Sequence, residues 1–324
     1  MSLKLVQCSK LKAPPSHIPN NLVQLDDESL LYASGKQIMI FSPRAATDAV
    51  FLTCSSPVVH FSAVPAMPGI GLLEPIILVC SEDGCQVYRS STYLTTITAP
   101  AGVVFTVCHV AVLPGPPSSP YVVLLFGGTD GTLFSTTCGT HNLAKESKPV
   151  LSSRMLRNGI TCIDANIHSA SSSTTTVVTG DTAGALVAWS SNLEPRLVLG
   201  TASDTDCAVC VRLLPNNQHA AAGYVSGKWR LFECVSGSLL MEVGAHSRGV
   251  SVMAYDTQKN QLITIGEDKM LEVWNVEDKS GSAVRSCCVE IPGNGFISPT
   301  GLAVHRGGGA LATFYDVPYL YEFR

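Results

Sequence analysis

Leu262-Ile263-Thr264-Ile265-Gly266-Glu267-Asp268-Lys269-Met270-Leu271-Glu272-Val273-Trp274 is an apolar strand, a small and acidic turn, and a second strand that ends on an aromatic ring. Short runs of β-branched and apolar residues broken by Gly and Asp are a strand–turn–strand signal. The arrangement recurs six more times, as LLYASGKQIMIF (30–41), IILVCSEDGCQVY (76–88), VVLLFGGTDGTLF (122–134), TVVTGDTAGALVAW (176–189), AAAGYVSGKWRLF (220–232) and ALATFYDVPYLYEF (310–323). The aromatic residues of the seven copies are Phe41, Tyr88, Phe134, Trp189, Phe232, Trp274 and Tyr321, spaced 47, 46, 55, 43, 42 and 47 residues apart. A period close to ~40–45 residues marks a propeller, whose units cover their apolar faces only by stacking on one another. The one long spacing contains two polar stretches, 139–148 and 169–176, which read as loop insertions.

Working outward from the sixth copy, residues 250–255 precede it and residues 283–290 follow it as two further strand-sized segments. Four short strands per unit predict an all-β, seven-bladed propeller occupying residues 1–324 as one domain, with no helix beyond odd turns. The last unit has only three strands before Arg324, and a spare strand-like segment, Leu3 to Ser9, lies ahead of the first unit. Pairing that segment into the last blade closes the ring and protects an edge.

Apolar residues make up 46% of the chain and charged residues 14%, against about 25% charged in an average soluble domain. That balance suits strands buried on both faces. No apolar run approaches the ~18–20 residues of a membrane span. The N-terminal segment lacks the apolar core of a signal peptide, so a cytoplasmic or nuclear location is expected. Twelve cysteines are scattered, and Cys80, Cys108, Cys162 and Cys234 sit inside apolar runs, where a thiol acts as a small hydrophobe. The net charge of −4, without a dense Lys/Arg cluster, argues against nucleic acid as a partner.

Ala245-His246, Thr264, Asp268 and Trp274 resemble the signature positions of the WD40-repeat family. The stretch AAGYVSGKWRLFECVSGSLLMEVGAHSRGVSVMAYD (221–256), followed by LITIGEDKMLEVWNV (262–276), resembles the WD repeat-containing protein 54 subfamily. The WD40 resemblance implies a buried relay in which Asp268 holds His246, His246 meets Thr264, and Thr264 meets the indole of Trp274. Buried imidazole, carboxylate and indole groups must each find a partner, so the network is structural rather than catalytic. Other units depart from the pattern. Among the seven aromatic positions Trp occurs only at 189 and 274, and Asn158 stands where the fourth unit would carry His.

The remaining candidates weaken on inspection. Cys207 and Cys210 have a metal-knuckle spacing, but residues three apart on a strand face opposite ways. Cys287 and Cys288 likewise point apart on an outer strand. The glycine runs 127–131 and 307–309 are followed by no helix and read as turns, not phosphate cradles. Serines 169–173 read as a solvated loop. Histidines 60, 109 and 219 lie in strand patterns and read as packed. No metal, cofactor or catalytic set is expected.

Propellers bind through their loop faces. Arg157, Tyr224, Arg248 and Lys269, near second-to-third-strand turns or the starts of innermost strands, are the candidates for a partner-binding face. The expected function is a non-enzymatic scaffold or adaptor for a peptide or protein. The alternatives are a self-associating, homo-oligomeric module and, further off, a hydrolase centred on the channel.

Overall fold

In the sixth unit the strands Val250–Asp256, Gln261–Gly266, Met270–Glu277 and Ser282–Glu290 pair in sequence order as one antiparallel sheet. The second of them is buried on both faces, which is why it reads as an unbroken apolar run rather than an alternating one. The computed structural model describes residues 3–25, 29–43, 45, 47–113, 121–138, 148–149, 158–165, 175–200, 206–277, 282–293, 298–305 and 308–324. Among them the same four-stranded sheet occurs seven times. The only helical element described is the 3-10 turn Pro68–Ile70, and no described helix is long and apolar enough to cross a membrane.

The innermost strands are Val23–Gln24, His60–Val64, Phe105–Leu113, Ile160–Ala165, Ala208–Leu213, Val250–Asp256 and Pro299–Val304. They surround a central channel. The outermost strands are half exposed, as the alternating burial of Leu239–Gly244 illustrates. The last blade has the order Leu5–Lys10, Val317–Phe323, Ala310–Phe314, Pro299–Val304, so a strand from the start of the chain forms its outer edge. It spans Leu5–Lys10 rather than Leu3 to Ser9, and Leu3 packs instead against the core between the last two blades.

Among the described residues the core forms seven clusters, one between each pair of neighbouring blades. Trp229 of the fifth blade, wholly buried, meets Trp274 of the sixth edge to face at 5.5 Å. Phe105, Phe126 and Phe134 pack together on the third blade where the second blade covers them. A sheet with two apolar faces is stable only when both are covered, so closure of the ring is part of the energetics and not a decoration of it.

Two recurrent details tie the blades. In blades three to seven the innermost strand carries a bulge at its start, at Phe105/Val107, Ile160/Cys162, Ala208/Cys210, Val250/Val252 and Pro299/Gly301. The extra residue turns Thr106 and Thr161 toward the next blade, where each hydroxyl donates to a backbone carbonyl, of Ile160 and Ala208 respectively, at 2.5 Å. Each second-to-third-strand turn places one residue at positive φ. In the fifth blade this is Gly227 (φ 83°), where an added Cβ would lie 2.2 Å from the His246 carbonyl oxygen. Only glycine fits that close approach.

Candidate functional site

The relay residues of the sixth blade lie together. His246 Nδ1 is 3.0 Å from Asp268 Oδ1, and His246 Nε2 is 2.9 Å from Thr264 Oγ1. The Trp274 indole N–H donates to Thr264 Oγ1 over 3.4 Å, a long contact. Asp268 also accepts the backbone N–H groups of Ser247 (2.9 Å) and Met270 (3.1 Å). With Asp268 accepting, the proton sits on Nδ1 and the Thr264 hydroxyl donates to Nε2. The His246 side chain has no exposure to solvent, so the network fixes a turn and an inter-blade loop rather than meeting a substrate. The fourth blade keeps half of it, Trp189 donating to Thr179 at 2.9 Å, and Asn158 in the His position is exposed.

The candidate face fares unevenly. Arg157 lies outside the described residues. Arg248 is exposed on the rim. Lys269 holds φ 65° in its turn and donates from Nζ to the Gly293 carbonyl at 3.0 Å. Tyr224 is corrected: its side chain is fully buried between the fourth and fifth blades, with the Arg230 guanidinium 4.5 Å above its ring. It ends a strand whose every residue is buried, so a position next to a turn did not carry its side chain to the surface.

Next to Gly249, the chain neighbour of Arg248, the same face carries a recess of 210 Å³. Its lining includes His17, Pro19, Val209, Val225, Glu267 and Ser298. Val225 is 52% exposed and Tyr315, beside the recess, 51%. Tyr315 is held by an edge-on contact with His17 at 5.3 Å, and His17 Nε2 is 2.9 Å from Ser298 Oγ.

The opposite end of the channel widens to 780 Å³ and is lined by all seven innermost strands or the segments beside them. Here the fold gathers polar residues from separate blades that the sequence reading left as packed or unremarked: Asn20, His60, His109, Asp164 and Arg212. Asp164 Oδ2 accepts the Leu213 N–H at 2.7 Å, and its other oxygen lies 3.8 Å from Arg212 Nη1 and 4.0 Å from His109 Nε2. Arg212 also donates to the Val211 carbonyl and to Asn20 Oδ1. Their spacing along the chain follows the blade period and resembles no motif, so no local signal could have grouped them.

Burial, reinforced by the charges of His109 and Arg212, lowers His60 to about 3, and burial also lowers His109. The unfolded chain protonates His60 near pH 6.5, whereas the folded chain resists until about pH 3. The stability this contributes is therefore full above pH 6.5 and is lost as pH falls toward 3. Between pH 6.5 and 5 we expect a loss of about 1.5 kcal/mol from His60 alone. Urea unfolding at both pH values, on the native chain and on His60→Gln, measures it. An identical pH slope in the variant would refute the assignment.

The WDR54 family model matches residues 70–317, about three quarters of the chain. WD repeat domain 54 of Rattus norvegicus is 29% identical over 157 residues, and WD repeat-containing protein 54 of Mus musculus is 28% identical over 156. Each of these matches covers 45% of this chain and 44% of the relative. Among solved structures, the WD40 β-propeller domain of Doa1 superposes with a TM-score of 0.70, covering 99% of this chain and 97% of that one at 13% identity. At that identity the likeness concerns the fold alone.

Proposed function

The chain belongs to the WDR54 family, and from that premise we propose that it is an adaptor whose rim recess, beside Val225, Arg248, Glu267 and Tyr315, docks a peptide or protein. WD40 propellers serve generally as non-enzymatic interaction modules, and this chain shares that scaffold. The observation that carries the finer reading is the pairing of two half-exposed apolar side chains, Val225 and Tyr315, with a concavity of 210 Å³ on one rim. An apolar anchor entering the recess gains desolvation, while Arg248 and Glu267 set its orientation. A reducing, cytoplasmic or nuclear setting suits it, since none of the twelve cysteines is disulfide-bonded and eight are buried.

The test is affinity purification of the tagged chain from its native cell with quantitative mass spectrometry. Val225→Asp/Arg248→Glu is expected to reduce recovery of a stoichiometric partner at least tenfold with an unchanged melting temperature. Leu73→Asp, at a 76%-exposed position beside the turn between innermost and second strands on the opposite side, serves as control. Loss with Leu73→Asp and retention with the rim variant would move the site to the opposite face. If every bait recovers only itself, self-association takes the place of the adaptor reading.

A further inference from the structure

Between the second and third blades three sulfurs converge. Cys80 and Cys85 are direct partners across two adjacent strands of the second blade, so both point to the same face of the sheet. Cys108, on the innermost strand of the third blade, packs against that face. The three Sγ atoms lie within 4.8 Å of one another, and all three residues are fully buried. Among the described residues no other three metal-ligating side chains come this close. Their other polar contacts are weak: Cys108 Sγ to the Leu78 carbonyl and Cys85 Sγ to the Gln86 carbonyl, both at 3.8 Å. Apolar filling needs only sulfur volume, and any arrangement of the three side chains would supply it. Their meeting at one point is what a ligand set requires.

His60 completes the surroundings. It is the cross-strand partner of Cys80, and its Nδ1 lies 3.5 Å from Cys108 Sγ while accepting the Cys108 backbone N–H at 3.3 Å. Its proton is therefore on Nε2, which is buried without a hydrogen-bond partner on a ring that lines the wide end of the channel. The imidazole lines the channel and lies 3.5 Å from Cys108 Sγ, between the channel and the sulfurs.

We infer that Cys80, Cys85 and Cys108 form a buried site for a single thiophilic monovalent d10 cation, of which Cu(I) is the biological representative. Soft thiolate donors select Cu(I) and Zn(II) among common metals. Structural Zn(II) requires four donors, and the nearest fourth, His60 Nδ1, is already engaged by the Cys108 N–H. Three sulfurs suit a three-coordinate monovalent ion. Loading exchanges one cation for two thiol protons; the third sulfur stays a neutral thiol, the site passes from neutral to a charge of −1, and no electron moves.

The experiment is an anaerobic titration of the full, reduced chain with Cu(I) held by a coloured bicinchoninate chelator. One equivalent per chain is expected to leave the chelator and to produce a near-ultraviolet sulfur-to-metal band. Cys80→Ala/Cys108→Ala should lose that equivalent, and Cys162→Ala, a buried thiol elsewhere, should keep it. In the unaltered chain, Cu(I) should slow alkylation of the three cysteines in mild urea at least tenfold, read by peptide mass spectrometry. This second measurement stands even where the double variant does not fold. Unchanged uptake in the double variant, protection of Cys287 and Cys288 instead, or no uptake at all would overturn the site. Displacement by equimolar Zn(II) would overturn the monovalent assignment.

Discussion

Replacing Asp268 by alanine is expected to cost the fold about 2–4 kcal/mol, because a buried imidazole N–H left unsatisfied costs ~1–3 kcal/mol and two backbone N–H groups lose a charged acceptor as well. Asp268 accepts three hydrogen bonds, from His246 Nδ1, Ser247 N–H and Met270 N–H. Alanine leaves all three donors without their acceptor, and the imidazole has no route to solvent because its side chain is fully buried. The cost is dominated by that orphaned imidazole and not by the worth of the pair itself. Two milder variants locate the effect. Asp268→Asn keeps an oxygen toward the turn and is expected to lose about 1–2 kcal/mol. Thr264→Val removes the hydroxyl between His246 and Trp274 and should lose a similar amount. The residues share one network, so Asp268→Ala/Thr264→Val should cost less than the sum of the two single changes. Urea midpoints with unchanged slopes supply the numbers. A loss under about 1 kcal/mol for Asp268→Ala would show that the turn is held by backbone alone.

Deleting residues 3–10 is expected to do comparable damage and to add a change of association state. Leu5–Lys10 pairs with Val317–Phe323 from Leu5↔Phe323 to Lys10↔Tyr319 through five register partners. At roughly 0.2–1 kcal/mol for each cross-strand pair, together with about 1.5–3 kcal/mol for loss of cover over the fully buried Phe323, the deletion should remove about 2.5–8 kcal/mol. It also strips Leu3 and Leu5 from the core between the last two blades and leaves Val317–Phe323 as an open edge. An unpaired strand edge is a template for another chain, so the truncated protein should elute as concentration-dependent oligomers by light scattering. A synthetic peptide of residues 3–12 added in trans should return part of the lost melting temperature, since a strand can be added from outside. A truncated chain that melts like the native one and stays monomeric would mean that the blade closes without its outer strand.

The two predictions mark different degrees of legibility. The strand–turn–strand copies were readable because their residues are consecutive. An apolar run with β-branched residues, a turn of Gly and Asp and a closing aromatic are local choices dictated by backbone sterics and by burial on both faces. Leu262 to Trp274 states them without help from the rest of the chain. Their period in turn dictates stacking, because no single blade can cover its own faces. The relay was reached only through a family likeness, since nothing in the spacing of 246, 264, 268 and 274 requires the hydrogen bonds that the fold makes among them.

Tyr224 shows where local reading stops. Its place beside a turn suggested exposure, yet the ring is buried, because a turn decides where the backbone goes and the neighbouring blade decides which side chains remain outside. The channel group and the sulfur cluster lie further out of reach. His60, His109, Asp164 and Arg212 come from four blades, and Cys108 meets Cys80 and Cys85 only because the third blade packs on the second. By itself, then, the sequence determined the strands, their number per unit and their repetition, all governed by interactions between residues near in the chain. The tertiary structure alone decided which chemical groups meet, because those meetings lie across blade interfaces and around the channel, where the closure and rotation of the ring set the distances.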